Sequence, residues 1–291
     1  MHRAGAVKGG VLHEECTSST SYSSKAIPTI REPRIITGYR YGNPVWGVVV
    51  EDKRCSLTVL KTVLLYLRDP RWALQIEKRE WGMYLAGREA RRLGLTRMYE
   101  KLHPVAYRPD WVDLLNIYNL VRRRKPKVIV EFGSGCSTIM FAKALADNHA
   151  AGDGFGALYS VETSEHFKKY TESYIPQDLR SHIEMIHSGI ELGEVAGKRV
   201  MWHRTVPDVS PNLVYLDGPD YQDFSSDVET QADGVMLEDK APADYAILID
   251  GRRKTFEFTR SNLKRSYKES VNRTHFWELL EPANEVYNAS E

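Results

Sequence analysis

Apolar runs that end in an acidic or polar residue recur through the second half of the chain, and stretches with helical spacing lie between them. The first is Val128–Lys143, VIVEFGSGCSTIMFAK, in which an apolar run reaches Glu131, passes two glycines and enters a helix-like segment. This pattern predicts a strand, a tight turn and a helix. Gly133 and Gly135 carry no Cβ and can adopt positive φ, so a ligand can lie against bare backbone.

Four further strands follow from the same pattern, at Ala157–Glu162, His182–His187, Asn212–Asp217 and Tyr245–Asp250. Three of them end in an acid, and the other runs into His-Ser-Gly. Because the carboxyl ends of parallel strands meet at one edge of an open α/β sheet, where ligands bind, we expect these polar residues to lie together. The segment Tyr267–Leu280 predicts a hairpin around Asn272-Arg273, which would add an antiparallel strand.

The acid within the first motif favours a cationic ligand. A dinucleotide would place its pyrophosphate near the following helix N-terminus, where the Glu131 carboxylate repels it, whereas S-adenosylmethionine brings an ammonium and a sulfonium. The segment EFGSGCST at residues 131–138 resembles the first motif of class I S-adenosylmethionine-dependent methyltransferases. The resemblance covers about residues 104–280. It implies a Rossmann-like, seven-stranded, mostly parallel α/β sheet with one antiparallel strand and helices on both faces.

The resemblance also implies roles for individual residues. Those that would bind S-adenosylmethionine are Glu131, Gly133, Gly135, Ser137 and Thr138 at the methionine end, Glu162 at the ribose, and Ser188, Gly189 and Ile190 at the adenine. One carboxylate can accept two parallel hydrogen bonds from the vicinal ribose hydroxyls, which suits Glu162. Asp217 would lie where donor and acceptor meet, and Asp217 or Asp220 is the favoured catalytic base. His187 and His203 are alternatives for that base, since neutral imidazole can take a hydroxyl proton.

A metal-assisted reaction is an open alternative. Asp217 and Asp250 end adjacent predicted strands, as do two metal-binding acids in the catechol-type O-methyltransferases, and two carboxylates there suit magnesium. This chain departs from that pattern, because Gly251 replaces an amide and Asp220 replaces a lysine. We therefore expect no metal ion in the site.

Charge gives little reason to expect a nucleic-acid partner, because the 291 residues have a net charge of +1. Basic residues do cluster at Arg88, Arg91, Arg92 and Arg97 and at Arg122–Lys125. Interspersed acids favour a solvated helix face and a charged helix end. The chain also lacks an Asn-Pro-Pro-Tyr-type motif for amino-group methylation. We expect methyl transfer to an oxygen of a small molecule or carbohydrate, and the alternatives are a non-catalytic S-adenosylmethionine- or nucleotide-binding module and a nucleic-acid methyltransferase.

Composition suggests three segments. Residues 1–26 are rich in Gly, Ser and Thr and are expected to be a disordered tail. Residues 27–103 would form an α+β extension packed on the core, with strands in Ile35–Val50 and helices at Ser56–Leu67 and about Ala73–Leu93, and residues 104–291 would form the main domain. Three cysteines without metal-like spacing, no secretory segment and no apolar run of roughly 20 residues suit a reducing cytoplasm.

Overall fold

The chain forms two compact units, residues 1–64 and residues 65–291. The computed structural model describes residues 35–40, 43–48, 70–98, 110–219, 228, 230–272 and 277–283. In the first unit, strands β1 (Ile35–Arg40) and β2 (Asn43–Val48) form an antiparallel hairpin, as the apolar pattern of that region predicts. The expected tail at 1–26 and the expected helix at Ser56–Leu67 lie outside the described residues. The proposed boundaries of tail, extension and main domain stay predictions.

The second unit alternates helices and strands. Its helices are α1 (Pro70–Arg92), α2 (Trp111–Arg124), α3 (Cys136–Ala150), α4 (Glu165–Tyr174), α5 (Asp233–Met236) and α6 (Arg253–Asn262). Its strands are β3 (Val128–Phe132), β4 (Ala157–Glu162), β5 (Ile183–His187), β6 (Ile190–Val195), β7 (Lys198–His203), β8 (Leu213–Leu216), β9 (Ala246–Asp250), β10 (Tyr267–Asn272) and β11 (Trp277–Pro282). Short 3-10 helices span Leu95–Met98, Gln177–His182 and Glu238–Lys240.

One seven-stranded sheet organises this unit, with the strand order β10-β11-β9-β8-β3-β4-β5. Strand β11 runs antiparallel to both of its neighbours, and the pairs among β9, β8, β3, β4 and β5 are parallel. The predicted mixed sheet, with its reversed strand near the end of the sequence, is therefore confirmed. Strands β6 and β7 form a separate hairpin. The strand-like pattern Arg199–His203 agrees with β7, whereas β6 is not predicted from the sequence.

Both faces of the sheet are covered, which explains why the central strands are nearly continuous apolar runs. On one face, Ile129, Leu158 and Leu248 pack in a cluster with α2 and α3. On the other face, Val130, Val161 and Ile247 belong to a second cluster. Ala90 of α1 and Leu95 also join the first cluster, so this part of the expected extension packs into the main core. No helix among the described residues has the length and apolar character needed to cross a bilayer.

Helix α2 has well-defined ends, and these fix its position over the sheet. Asp110 caps its N-terminus, because the Oδ1 atom accepts from the backbone N–H of Val112 at 3.0 Å. Lys125 ends it in a left-handed conformation, with its N–H donating to the Val121 carbonyl. Near that end, Arg123 and Arg124 pair with Glu281 of β11 at 3.0 and 2.9 Å. Helix α2 therefore runs along one face of the sheet, with its C-terminus at the amino edge.

Two glycine loops touch at the carboxyl edge of the sheet. Gly133, after β3, has a φ of +95°, and a Cβ built on it would lie 2.6 Å from the Gly218 backbone nitrogen. A Cβ on Gly218 would lie 2.6 Å from the Gly133 Cα. The Gly218 N–H also donates to the Phe132 carbonyl at 2.5 Å. The two loops can approach this closely only because neither glycine carries a side chain.

We expect Gly218→Ala to destabilise the protein by about 1–3 kcal/mol, because the new methyl group would force backbone apart. Thermal unfolding measures this effect. Gly87→Ala, within α1, is the matched control, since the new Cβ would lie at an ordinary 3.5 Å from the Trp111 ring. The control should gain about 0.5–1 kcal/mol from helix propensity. A Gly218→Ala protein as stable as the wild type would show that the loop contact is loose.

Candidate functional site

Four acids lie on one face of the sheet near its carboxyl edge because of strand alternation. In β3, β4, β8 and β9, every second residue faces helices α2 and α3. The residues on this face include Ile129, Leu158, Ser160, Tyr215 and Leu248. Two residues further along each strand, the same alternation places on this face the acids Glu131, Glu162, Asp217 and Asp250. The strand register pairs Glu131 with both Ser160 and Tyr215, and Tyr215 with Leu248. Two residues further along, the same register brings Glu162, Gly133, Asp217 and Asp250 into one row. Trp277 of β11 pairs with Asp250 and ends this edge row.

Glu131 lies one step below the edge row and is completely buried. One carboxylate oxygen accepts from Ser137 Oγ at 2.5 Å, and the other accepts from Thr138 Oγ1 at 2.6 Å and from Ser160 Oγ at 2.7 Å. Ser160 is a partner of Glu131 that was not predicted, although a small polar residue inside the apolar run ALYSVE is a usable signal. The hydroxyls of Ser137 and Thr138 point at Glu131, so both residues act here as partners of the acid.

Burial and hydrogen bonding oppose each other at this carboxylate. Burial raises the pKa of Glu131 to about 7, the three hydroxyls lower it, and the charge of Asp217 raises it. Because Glu131 is enclosed, it acts on a ligand at the edge row through its charge and not through direct contact. The sequence had suggested that it holds the methionine end of the cofactor.

The turn between β3 and α3 leaves open space at its second glycine. Gly135 has an extended φ of 164°, so it does not need the positive φ that we expected, whereas Gly133 does. A Cβ on Gly135 would meet no atom within 4 Å. Its N–H donates to Thr138 Oγ1 at 3.0 Å, at the N-terminus of α3. A ligand can therefore approach bare backbone at Gly135. Position 133, by contrast, requires glycine because the Gly218 backbone lies against it.

Glu162, at the end of β4, joins the two loops that flank it. One oxygen accepts from the N–H and the Oγ of Ser134 at 2.9 and 2.8 Å. The other accepts from the Ser164 N–H at 2.9 Å. Thr163 Oγ1 also donates to that second oxygen at 3.4 Å, so both lone pairs of each oxygen are used and a ribose hydroxyl can bind only by replacing this long hydrogen bond.

The segment expected at the adenine forms the turn from β5 into β6. The Ser188 hydroxyl accepts from the Thr205 N–H at 2.8 Å and donates to the Gly189 carbonyl at 3.0 Å. A Cβ on Gly189 would meet no atom within 4 Å, and Ile190 begins β6. The turn therefore lies beside Glu162 and offers an open backbone surface at Gly189.

Neither histidine proposed as an alternative base adjoins Asp217, although His187 pairs with Glu162 at the other end of the edge row. His203 is buried, and its Nδ1 lies 3.1 Å from Asp233 Oδ2. Its ring packs at 4.7 Å from that of Phe132, which belongs to the opposite face of the sheet from the acids. His187 Nε2 lies 3.0 Å from the Thr163 carbonyl.

Asp217 is held through its backbone. Its N–H donates to the Phe132 carbonyl at 3.0 Å, and its carbonyl accepts from the guanidinium of Arg252. Arg252 is only 5% exposed and comes from the turn that follows β9. No local pattern in the sequence predicts this contact, because Asp217 and Arg252 are 35 positions apart. Asp220, the other candidate base, lies outside the described residues.

The charges of this edge converge on one buried phenol. Tyr215 donates to Asp250 Oδ2 at 3.3 Å. Burial raises the pKa of Tyr215 well above its usual range, and nearby carboxylates raise it further, namely Asp217, Asp250, Asp113 and Glu131. These four acids give the edge a negative potential, which suits a ligand that carries positive charge.

The basic run at the end of α2 is used within the protein. Arg122 donates to Asn148 at 2.6 Å, Arg123 and Arg124 pair with Glu281, and Lys125 pairs with Asp153 at 2.8 Å. In the other basic group, Arg92 pairs with Glu89 on the same helix. These contacts fit a charged helix end and a solvated helix face.

Comparisons with known proteins point to one family. Residues 130–235 match the sequence profile of a family described as a methyltransferase domain. A search of curated protein sequences finds no match to the chain.

Similar solved structures are distant. They include a methyltransferase from Geobacter sulfurreducens at 14% identity, with coverage of 69% of this chain and 88% of that chain and a TM-score of 0.39. The O-methyltransferase TomG from Streptomyces achromogenes, solved with SAM, has 14% identity, coverages of 69% and 89% and a TM-score of 0.38. An O-methyltransferase from Bacillus cereus, solved with SAH, has 12% identity, coverages of 69% and 90% and a TM-score of 0.38.

The strand order, the profile match and the site agree. The bare backbone at Gly135 and Gly189 leaves room for a ligand, and the carboxylates of the edge suit the ammonium and sulfonium of S-adenosylmethionine. The profile match at residues 130–235 and the observed strand order therefore agree with the predicted class I S-adenosylmethionine-dependent methyltransferase domain and with S-adenosylmethionine as its cofactor.

Proposed function

We propose that the protein transfers the methyl group of S-adenosylmethionine to an oxygen of a small molecule or sugar. The observation that carries this proposal is the edge row, in which Glu162, Gly133, Asp217 and Asp250 follow one another across four neighbouring strands. Strands lie about 4.8 Å apart, so Glu162 and Asp217 are separated by roughly 10 Å along the row. In this arrangement Glu162 binds the ribose, the loop at Gly133 and Gly135 faces the methionine part, and Asp217 lies at the methyl group.

Bound S-adenosylmethionine supplies a methyl group on a sulfonium, which an acceptor oxygen attacks in line. The chain then has to position the acceptor and manage one proton. Asp217 accepts the hydroxyl proton of the acceptor, and the clamp from Arg252 holds the backbone of Asp217 during this step. The negative potential of the edge favours the cationic cofactor over its neutral-sulfur product, which assists product release.

Arg252 also supports transfer without a metal ion. Its buried guanidinium contacts the backbone of Asp217, one of the two acids that would have to hold a cation. This single positive charge offsets only part of the charge of the acids, and it repels a divalent ion twice as strongly as it repels a singly charged group. Asp217 therefore removes the proton, and no step requires magnesium.

The second candidate is a module that binds S-adenosylmethionine without catalysis. The dense bonding of Glu162 and Glu131 within the protein would serve such a binding module equally well. The two functions differ in whether a methyl group leaves the cofactor, so an acceptor screen separates them.

We expect Glu162→Gln to weaken S-adenosylhomocysteine binding by roughly 10- to 150-fold, because one charge-assisted hydrogen bond to the ribose is lost, worth about 1.5–3 kcal/mol. Titration calorimetry measures the affinity. Glu172→Gln removes the same charge from α4, where Glu172 pairs only with the neighbouring Lys168 among the described residues, and should bind normally. Equal affinities for the two variants would remove Glu162 from the ribose site.

The ionisation of Glu131 should make the affinity for S-adenosylmethionine depend on pH. Its pKa is raised to about 7, so the acid is largely protonated at lower pH and gains its charge as the pH rises. A cationic cofactor favours the ionised form, so affinity for S-adenosylmethionine should rise between about pH 6 and pH 8. Calorimetry on Glu131→Gln provides the control, because titration of the ligand itself is common to both proteins. If the two pH profiles are parallel, Glu131 does not act on the cofactor charge.

Methyl transfer itself can be tested without knowing the acceptor. The full chain is incubated with labelled S-adenosylmethionine and the small-molecule fraction of a lysate, and the labelled product is identified by mass. We expect product in the presence of EDTA and a rate roughly 100-fold lower for Asp217→Asn, as for loss of a general base, with much less effect on cofactor affinity. Asp178→Asn, on an exposed 3-10 helix, is the control. Loss of activity in EDTA, with recovery in magnesium, would contradict the metal-free assignment, and absence of any product would favour the binding module.

A further inference from the structure

A cavity of about 430 Å³ lies between helix α2 and the half of the sheet formed by β8, β9, β11 and β10. Its helix side presents a single face of α2, with residues spaced by three or four positions from Asp113 to Arg123. Its sheet side presents alternate residues of β9 and β11 and one residue each of β8 and β10. The volume falls within the range of small-molecule sites.

The two ends of this cavity differ in charge. Asp113 lies in the first turn of α2 and Arg123 in the last, which separates them by about 15 Å. On the sheet side, Trp277 and Glu281 are four residues apart on β11, or about 13 Å. At the amino edge Glu281 pairs with Arg123 and Arg124, so charges of both signs meet there. At the carboxyl edge the described lining residues supply Asp113 and Asp250 and no basic side chain.

The acidic end adjoins the proposed point of methyl transfer. Asp250 follows Asp217 in the edge row, one strand further along, and Trp277 follows Asp250. Tyr215, two residues before Asp217, lines the cavity and donates to Asp250. A molecule bound at this end would therefore lie beside Asp217.

The walls between the two ends are mainly apolar. Ile117 and Leu120 face the cavity from the helix, and Leu248 and Leu279 face it from the sheet. The indole of Trp277 adds a flat aromatic surface next to Asp250. An aromatic face beside carboxylates attracts a protonated amine both through the ring quadrupole and through ion pairing.

We propose that this cavity binds the methyl acceptor as an organic cation, with a protonated amine held by Asp113 and Asp250, an apolar body against Trp277, and the oxygen that receives the methyl group directed toward Asp217. The assignment rests on the proposed function only in naming the bound molecule as the acceptor. Cation binding by the cavity is a separate property that is measurable without turnover.

Tyramine and tyrosol test this assignment, because they share a phenol ring and differ in an amine against a hydroxyl. Each is titrated by calorimetry into the full chain saturated with S-adenosylhomocysteine. Tyramine should bind at least about tenfold more tightly than tyrosol, the factor expected from one charge-assisted contact. Asp113→Asn should remove that preference, and Asp178→Asn, which removes an equal charge from the surface, should keep it. Added salt should weaken tyramine binding more than tyrosol binding.

A gain-of-charge variant keeps the test decisive if Asp113→Asn folds poorly. Asn116 lines the cavity one turn after Asp113, so Asn116→Asp should tighten tyramine binding and leave tyrosol binding unchanged. Equal binding of the two probes, binding of neither, or no gain with Asn116→Asp would each overturn the cavity assignment. If S-adenosylhomocysteine binds and tyramine does not, only the cavity assignment fails. If S-adenosylhomocysteine itself does not bind, the proposed function fails, and tyramine titrated into the protein alone still decides the cavity.

Discussion

The register of four parallel strands is the constraint on which the site depends. Because alternate residues of a strand face the same side, the same face carries Glu131, Glu162, Asp217 and Asp250. A slip of one residue in β8 would turn Asp217 to the opposite face and place Leu216 at the edge. The buried apolar residues on both faces oppose such a slip, since it would move β8 residues of each filled cluster to the opposite face of the sheet. Packing of the core thereby positions the chemistry.

Charge within this edge is balanced by local groups. Glu131 is fully buried, and an isolated carboxylate there would be costly. Three hydroxyls, from Ser137, Thr138 and Ser160, offset that cost, and the positive end of the α3 dipole lies nearby. The same carboxylate gives the edge the negative potential that suits a sulfonium. Structural satisfaction of Glu131 and preference for a cationic cofactor thus come from one arrangement.

Two contacts between distant segments hold the loops over this charge. Gly133 and Gly218 touch through bare backbone, and Arg252 holds the carbonyl of Asp217. Together they connect the ends of β3, β8 and β9 on one level. The acid row is therefore carried by backbone and by a buried guanidinium, so that Asp217 is fixed at the edge before a ligand binds.

Local patterns in the sequence determined the order of the strands along the chain, the glycine turn and the acids that end the strands. Their apolar runs could be recognised because a doubly covered sheet leaves few polar positions. The reversed strand near the end of the chain was also predicted correctly. Strand β6 was missed because it is half exposed and lacks a continuous apolar run. Only the tertiary structure decided which groups contact those acids. The partners of Glu131, the clamp of Arg252 on Asp217 and the cavity between Asp113 and Asp250 join residues that are up to 137 positions apart. Such contacts depend on strand order and helix position in space, which no local pattern specifies.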